Sequence, residues 1–129
     1  GADLVIGNHP HRLQAVEAYR SGIIFHSLGN FLFDLPKGFK PTQTKWNFWP
    51  PRLGAWSQSS ESAIVRAVLN SRLDTNIEVI PTVRRGGGYP KIADTATSRR
   101  ILSRLTELSE NLNVKFKISQ RKARVLTKR

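Results

Sequence analysis

The apolar residues of this 129-residue chain recur with a period of two over residues 61–70, 77–83 and 114–118, and a helical period is clear in one stretch only, residues 94–112. A period of two puts alternate side chains on opposite faces of a strand, so the pattern asks for sheets carrying one helix. Val114, Phe116 and Ile118 alternate with Lys115 and Lys117, and Val125 continues a partner strand beyond residues 121–123. Residues 61–70 and 77–83 alternate well enough for two antiparallel strands joined at 71–75, with Pro81 expected at an edge or a strand end because it cannot donate to a ladder. Leu13, Ala15 and residues 16–19, then Arg20-Ser21-Gly22, then Ile23-Ile24-Phe25 read as a hairpin. Residues 3–7 are a short apolar run closed by Gly7, which reads as a buried strand, with residues 8–12 as the loop leaving it. In the helix, Asp94 or Thr95 is the expected cap, and Ile101, Leu105, Leu108 and Leu112 form the expected apolar face.

Two stretches break the pattern. Residues 35–60 are rich in Pro, Gly and aromatic residues, including Trp46, Trp49 and Trp56, and read as a long loop that either covers the core or faces a substrate. Residues 84–90 contain three consecutive glycines but lack the strand-before, helix-after setting of a phosphate-binding loop. A length of 129 residues allows a single core, and an apolar content of 39% is too high for a disordered chain. The absence of cysteine excludes disulfides, thiolate metal sites and a cysteine nucleophile. No apolar run approaches the roughly 18 residues that cross a bilayer.

Charge is unevenly distributed. The chain carries +12, yet residues 1–34 sum to −1, so the basic character belongs to the rest. Beyond Glu110 come Lys115, Lys117, Arg121, Lys122, Arg124, Lys128 and Arg129 with no acidic residue among them. Such a stretch is either a solvated face or an attractor of polyanions.

The residues with most chemical content are His9-Pro10-His11, directly after the first strand. Two imidazoles one residue apart in an extended loop point the same way, which suits one metal ion or two adjacent ones, and proline stiffens the backbone between them. Solvent-exposed or core histidines give the same pattern. Sites in open α/β sheets nevertheless collect beyond the carboxyl ends of strands, where this pair falls.

Residues 1–14, then Val16-Glu17, residues 24–31 (Ile-Phe-His-Ser-Leu-Gly-Asn-Phe) and Phe33-Asp34 together resemble the C-terminal half of the CapA-type capsule (poly-γ-glutamate) synthesis proteins, in the calcineurin-like metallophosphoesterase superfamily. The resemblance is specific over residues 1–34 and weaker but consistent afterwards. It implies an α/β (α+β) fold, a partial calcineurin-like β-sandwich with a flanking helix, in which residues 1–129 are the C-terminal portion of one domain whose N-terminal half is missing. It maps two ligands of a dinuclear divalent-metal site onto His9 and His11, with Mn, Fe and Zn not distinguished. Ser27, Gly29 and Asn30 match the family's Ser-Leu-Gly-Asn signature, and Asn30 is the one catalytic candidate, either bonded to the site or capping a turn. Asn8 departs from the residues usual there, and His26 stands where the family commonly has Tyr, so no role is expected for its imidazole.

The implied chemistry is hydrolysis or transfer at a phosphate centre of a phosphate-containing or polyanionic substrate. Further Asp, Asn and His ligands would come from the missing half of the domain, and the chain alone is expected to be inactive. The absence of Met and the strand beginning so near Gly1 agree with a piece of a longer parent, whose leader or membrane anchor, if exported, would lie before Gly1. Two other readings stay open. One is a non-catalytic basic module that binds a polyanion such as polyglutamate, anionic lipid or nucleic acid, the last disfavoured because no nucleic-acid motif is present. The other is a truncated product with no function of its own.

Overall fold

The computed structural model describes residues 1–32, 60–68, 76–84 and 89–127. The expected loop over 35–60 with its three tryptophans, the turn at 71–75 and the glycines at 86–88 lie outside the described residues, as do Phe33 and Asp34.

The fold is mixed α/β, mostly sheet with one helix. Among the described residues the strands are β1 (Leu4–Ile6), β2 (Val16–Tyr19), β3 (Gly22–Phe25), β4 (Glu61–Val68), β5 (Asn76–Arg84), β6 (Pro90–Ile92), β7 (Val114–Ser119) and β8 (Lys122–Thr127), with helix α1 (Thr95–Leu108) between β6 and β7. β1, β3 and β2 form one sheet in that order, β1 parallel and β2 antiparallel to β3. The second sheet runs β4-β5-β8-β7, with β6 also paired to β5.

The hairpin at Arg20-Ser21 forms as expected, with Tyr19 opposite Gly22 and Val16 opposite Phe25. Arg20 takes a left-handed φ of 54°, which a two-residue hairpin turn demands. The second sheet follows the period-two pattern: Ala63, Val65 and Ala67 of β4 face the core side with Ile77 and Val79 of β5, while Ile64, Arg66 and Val68 share the opposite face with Glu78 and Ile80. One apolar core joins Val16, Ile23 and Phe25 of the first sheet to Ile77, Val79, Ile101, Leu102, Leu105 and Val125. The two sheets are stitched directly by the bridge Gly29↔Ser62 and by the Ala63 amide donating to the Leu28 carbonyl at 3.1 Å.

Four expectations need correction. β1 is not a buried strand: it is an outer strand of its sheet among the described residues, and Val5 and Ile6 are 41% and 45% exposed. A continuous apolar run does not distinguish burial on both faces from burial against something not described here.

Pro81 is neither at an edge nor at a strand end but buried inside β5. The Ala63 amide points to Leu28, so Ala63↔Pro81 is a non-hydrogen-bonded pair and the proline nitrogen faces away from β4. On that side the β8 pairing stops at Val79 and the β6 pairing starts at Thr82. The missing N–H therefore falls in a gap between two neighbours, and the Pro81 carbonyl still accepts from the Ala93 amide at 3.0 Å.

The helix ends at Leu108, not 112. Ser109 Oγ donates to the Leu105 carbonyl at 2.7 Å and accepts from the Val16 amide at 2.9 Å, and the Leu112 carbonyl is taken by the Ala18 amide at 2.9 Å. β2 thus captures groups that a longer helix would have used, and Asn113 at φ 58° turns the chain into β7. The buried face is Ser98, Ile101, Leu102 and Leu105, while Leu108 is 48% exposed. The fourth correction is β6, which occupies residues read as loop and approach to the helix; three residues are too short to show a period.

Candidate functional site

Loop 8–12 begins where β1 ends. Gly7 allows the departure: its amide donates to the Phe25 carbonyl at 2.7 Å, and a Cβ there would collide with the His26 carbonyl oxygen. The loop closes at buried Leu13, which bridges to Leu28, with the Gln14 amide donating to the Ser27 carbonyl at 3.1 Å. Both ends of the histidine loop are therefore fixed to β3 and the segment that follows it.

Between these anchors His9 and His11 adopt left-handed backbones, φ 95° and 58°. Such conformations cost about 1–3 kcal/mol each in a non-glycine residue and persist where the surroundings over-determine them. The two rings are exposed, with centroids 6.2 Å apart and planes inclined at 44°. Asn8 is exposed beside them.

The Ser27-Leu28-Gly29-Asn30 segment packs against this loop. The Gly29 amide donates to Ser27 Oγ at 3.2 Å, closing a local turn. Gly29 has φ 76°, and a Cβ there would lie 2.5 Å from the Glu61 carbonyl oxygen and 3.2 Å from the Leu13 nitrogen. Only glycine fits between two backbones at that conformation. The turn delivers Asn30 Oδ1 to 2.8 Å from His11 Nδ1. With the amide oxygen accepting, His11 carries its proton on Nδ1 and its lone pair on Nε2, one of the two tautomers in which a neutral imidazole can ligate a metal. His26 stands apart, its Nε2 3.0 Å from Glu17 Oε2.

Beneath the turn lies a charge cluster that the sequence did not disclose. Glu61, 4% exposed at the start of β4, meets Arg100 Nη1 at its Oε1 and Arg104 Nη1 at its Oε2, both at 2.6 Å. The two arginines are spaced i, i+4 on α1, so they reach one carboxylate from one side of the helix. That spacing was visible; their partner, some 40 residues earlier in the chain, was not.

Among the described residues no group of three or more His, Cys, Asp or Glu side chains is placed to hold a metal ion. The described residues there offer two imidazole rings, one of them hydrogen-bonded to an amide, and fewer donors than a closed metal site needs.

Residues 1–35, which span β1, the histidine loop, the hairpin and the Ser-Leu-Gly-Asn turn, match the family described as bacterial capsule synthesis protein PGA_cap. Over 107 residues, 83% of this chain and 21% of the relative, the sequence is 30% identical to the capsule biosynthesis protein CapA of Bacillus anthracis. It is likewise 30% identical over 108 residues, 83% of the chain and 23% of the relative, to the PGA biosynthesis protein CapA of Bacillus subtilis. The chain is a CapA-type segment. It spans about a fifth of the length of those two relatives. Similarity to the uncharacterized protein y4sH of Sinorhizobium fredii rises to 53% but over 34 residues only, 26% of the chain.

Proposed function

We propose that this CapA-type segment contributes two metal ligands, His9 and His11, to a dinuclear phosphoesterase site that serves capsule or poly-γ-glutamate synthesis. The observation that carries the reading is the loop itself: two histidines in left-handed conformations at a strand end, one bonded through Nδ1 to Asn30 of a turn that requires glycine. The names of the two Bacillus relatives support the biosynthetic setting. Divalent ions at such a site would lower the pKa of a bound water and neutralise charge on a phosphoryl group. Asn30 acts by holding the His11 ring and its tautomer, and Gly7 and Gly29 act by fixing the two segments against each other. The remaining donors belong to residues beyond those described or to the rest of a longer protein.

The reading is tested by titrating the 129-residue chain with Mn²⁺ and following its histidine ring signals by NMR. The His9 and His11 resonances should broaden at metal concentrations that leave His26 sharp, and His9→Ala should relieve the broadening at His11. Equal broadening of all three rings, or none, would remove the metal assignment. The chain by itself is expected not to hydrolyse p-nitrophenyl phosphate with Mn²⁺; turnover abolished by His9→Ala would mean that the site is complete within it.

A further inference from the structure

The outer face of the second sheet, turned away from α1, carries a row of charges in lateral register. Arg66 of β4 lies opposite Glu78 of β5, Glu78 opposite Arg124 of β8, and Arg124 opposite Lys117 of β7. One register step along, Ser119 faces Lys122, and on the other side Lys115 faces Leu126. Among the described residues five cations thus share the face with one carboxylate, that of Glu78. That carboxylate is already engaged on both oxygens, by Lys122 Nζ at 2.6 Å on Oε1 and by Arg66 Nη2 at 2.9 Å on Oε2.

Lys117 and Arg124 are placed differently. They stand directly opposite each other on neighbouring strands, an arrangement that destabilises a sheet when the charges are alike. Neither has a carboxylate partner among the described residues. Together with Glu78, Ser119 and Lys122 they line an open cavity of about 240 Å³.

We propose that this cavity and the cation row are a binding face for a flexible, multiply charged oxyanion ligand, one anionic group bridging Lys117 and Arg124 and others reaching Arg66 and Lys115 along the row. Strands lie about 4.8 Å apart, so charges on β4 and β7 are separated by about 14 Å. A single small anion does not span that distance, and an extended polycarboxylate or polyphosphate does. Nucleic acid fits less well. The described residues on this face are Lys, Arg, Ser, Thr, Asn, Glu and aliphatic side chains, with no aromatic ring on which a base could stack. The site lies on a different sheet from the histidine loop and stands or falls independently of the metal reading.

The test measures binding of the 129-residue chain to fluorescently labelled poly-L-glutamate, with sodium polyphosphate and duplex DNA as competitors, at about 50 and about 200 mM salt. The double variant Lys117→Gln/Arg124→Gln should weaken poly-L-glutamate binding by about tenfold or more, since two charge-assisted contacts are lost. The double variant Lys91→Gln/Arg99→Gln removes the same net charge elsewhere and should change affinity by less than about twofold. Amide shifts on titration should be confined to β4, β5, β7 and β8, and circular dichroism shows whether each variant stays folded. Displacement by polyphosphate alone would make the ligand a phosphate chain, and displacement by both polymers an oxyanion site without preference between them; either outcome supports the face. Equal losses in the two double variants, tighter binding of duplex DNA than of either polymer, or no binding would overturn it.

Discussion

Gly29 holds two backbones apart by having no side chain. At φ 76°, with the Glu61 carbonyl 2.5 Å from where a Cβ would sit, Gly29→Ala meets both a torsional and a steric penalty. A loss of about 1–3 kcal/mol in urea unfolding is expected, whereas Gly1→Ala, with nothing within 4 Å of its would-be Cβ, should be neutral. Under the proposed function Asn30 acts differently, through its contact with the His11 ring. Asn30→Ala should leave the unfolding midpoint nearly unchanged yet weaken metal binding by about 10–100-fold, the usual cost of removing the group that orients a ligating histidine. Equal metal affinity in the variant, measured by titration calorimetry on the chain or on a longer CapA-type protein, would confine Asn30 to the turn. That His9 and His11 share a loop after a strand is legible from the sequence. The arrival of Asn30 at His11 is not, because it depends on Leu28 and Gly29 bridging to Leu13 and Ser62.

At the level of elements, α1 is set by its two ends. Asp94 accepts from the Thr97 amide at 2.8 Å and from the Thr97 hydroxyl at 3.0 Å, so Asp94→Ala should cost about 1 kcal/mol, read from thermal or urea unfolding. This start is written locally, in an Asp ahead of a periodic run. The stop is not: Ser109 and Leu112 are engaged by Val16 and Ala18 of β2, nearly a hundred residues earlier. Docking of the helix also rests on Glu61. Glu61→Ala would leave Arg104, 22% exposed, without its carboxylate, and Arg100, 60% exposed, free to turn to water. A loss of about 2 kcal/mol is expected, below the usual figure for a buried pair because one arginine is largely solvated. Equal stability of Glu61→Ala and the wild type would make the cluster incidental to docking.

For the whole molecule, the second sheet makes stability depend on pH through Glu78. Its carboxyl is held below the usual carboxylate range, chiefly by the hydrogen bond from Lys122, against the opposing effect of desolvation and with help from the charges of Arg66 and Lys122. A carboxylate with a depressed folded pKa binds more protons when unfolded, so its contribution is present above the ordinary value of 4.5 and is lost as pH falls through the folded value. The difference in unfolding free energy between wild type and Glu78→Gln should therefore be constant near neutrality and shrink below that value. A difference that grows on acidification would reverse the assignment. The exposed Val5 and Ile6 of β1 belong to this scale too.

The sequence by itself determined the strands other than β6, where the hairpin turns and where the helix begins, because each rests on contacts a few residues apart: alternation, a two-residue turn, a cap three residues from its amide. It also carried the CapA resemblance in residues 1–34. Tertiary structure decided what lies between distant segments. It let Pro81 sit inside β5, where β6 and β8 leave a gap for its missing donor. It ended α1 a turn early against β2, exposed β1, and gathered Glu61 with Arg100 and Arg104. Each of these depends on which partner a backbone or charged group finds across the core, and no local pattern of side chains encodes that.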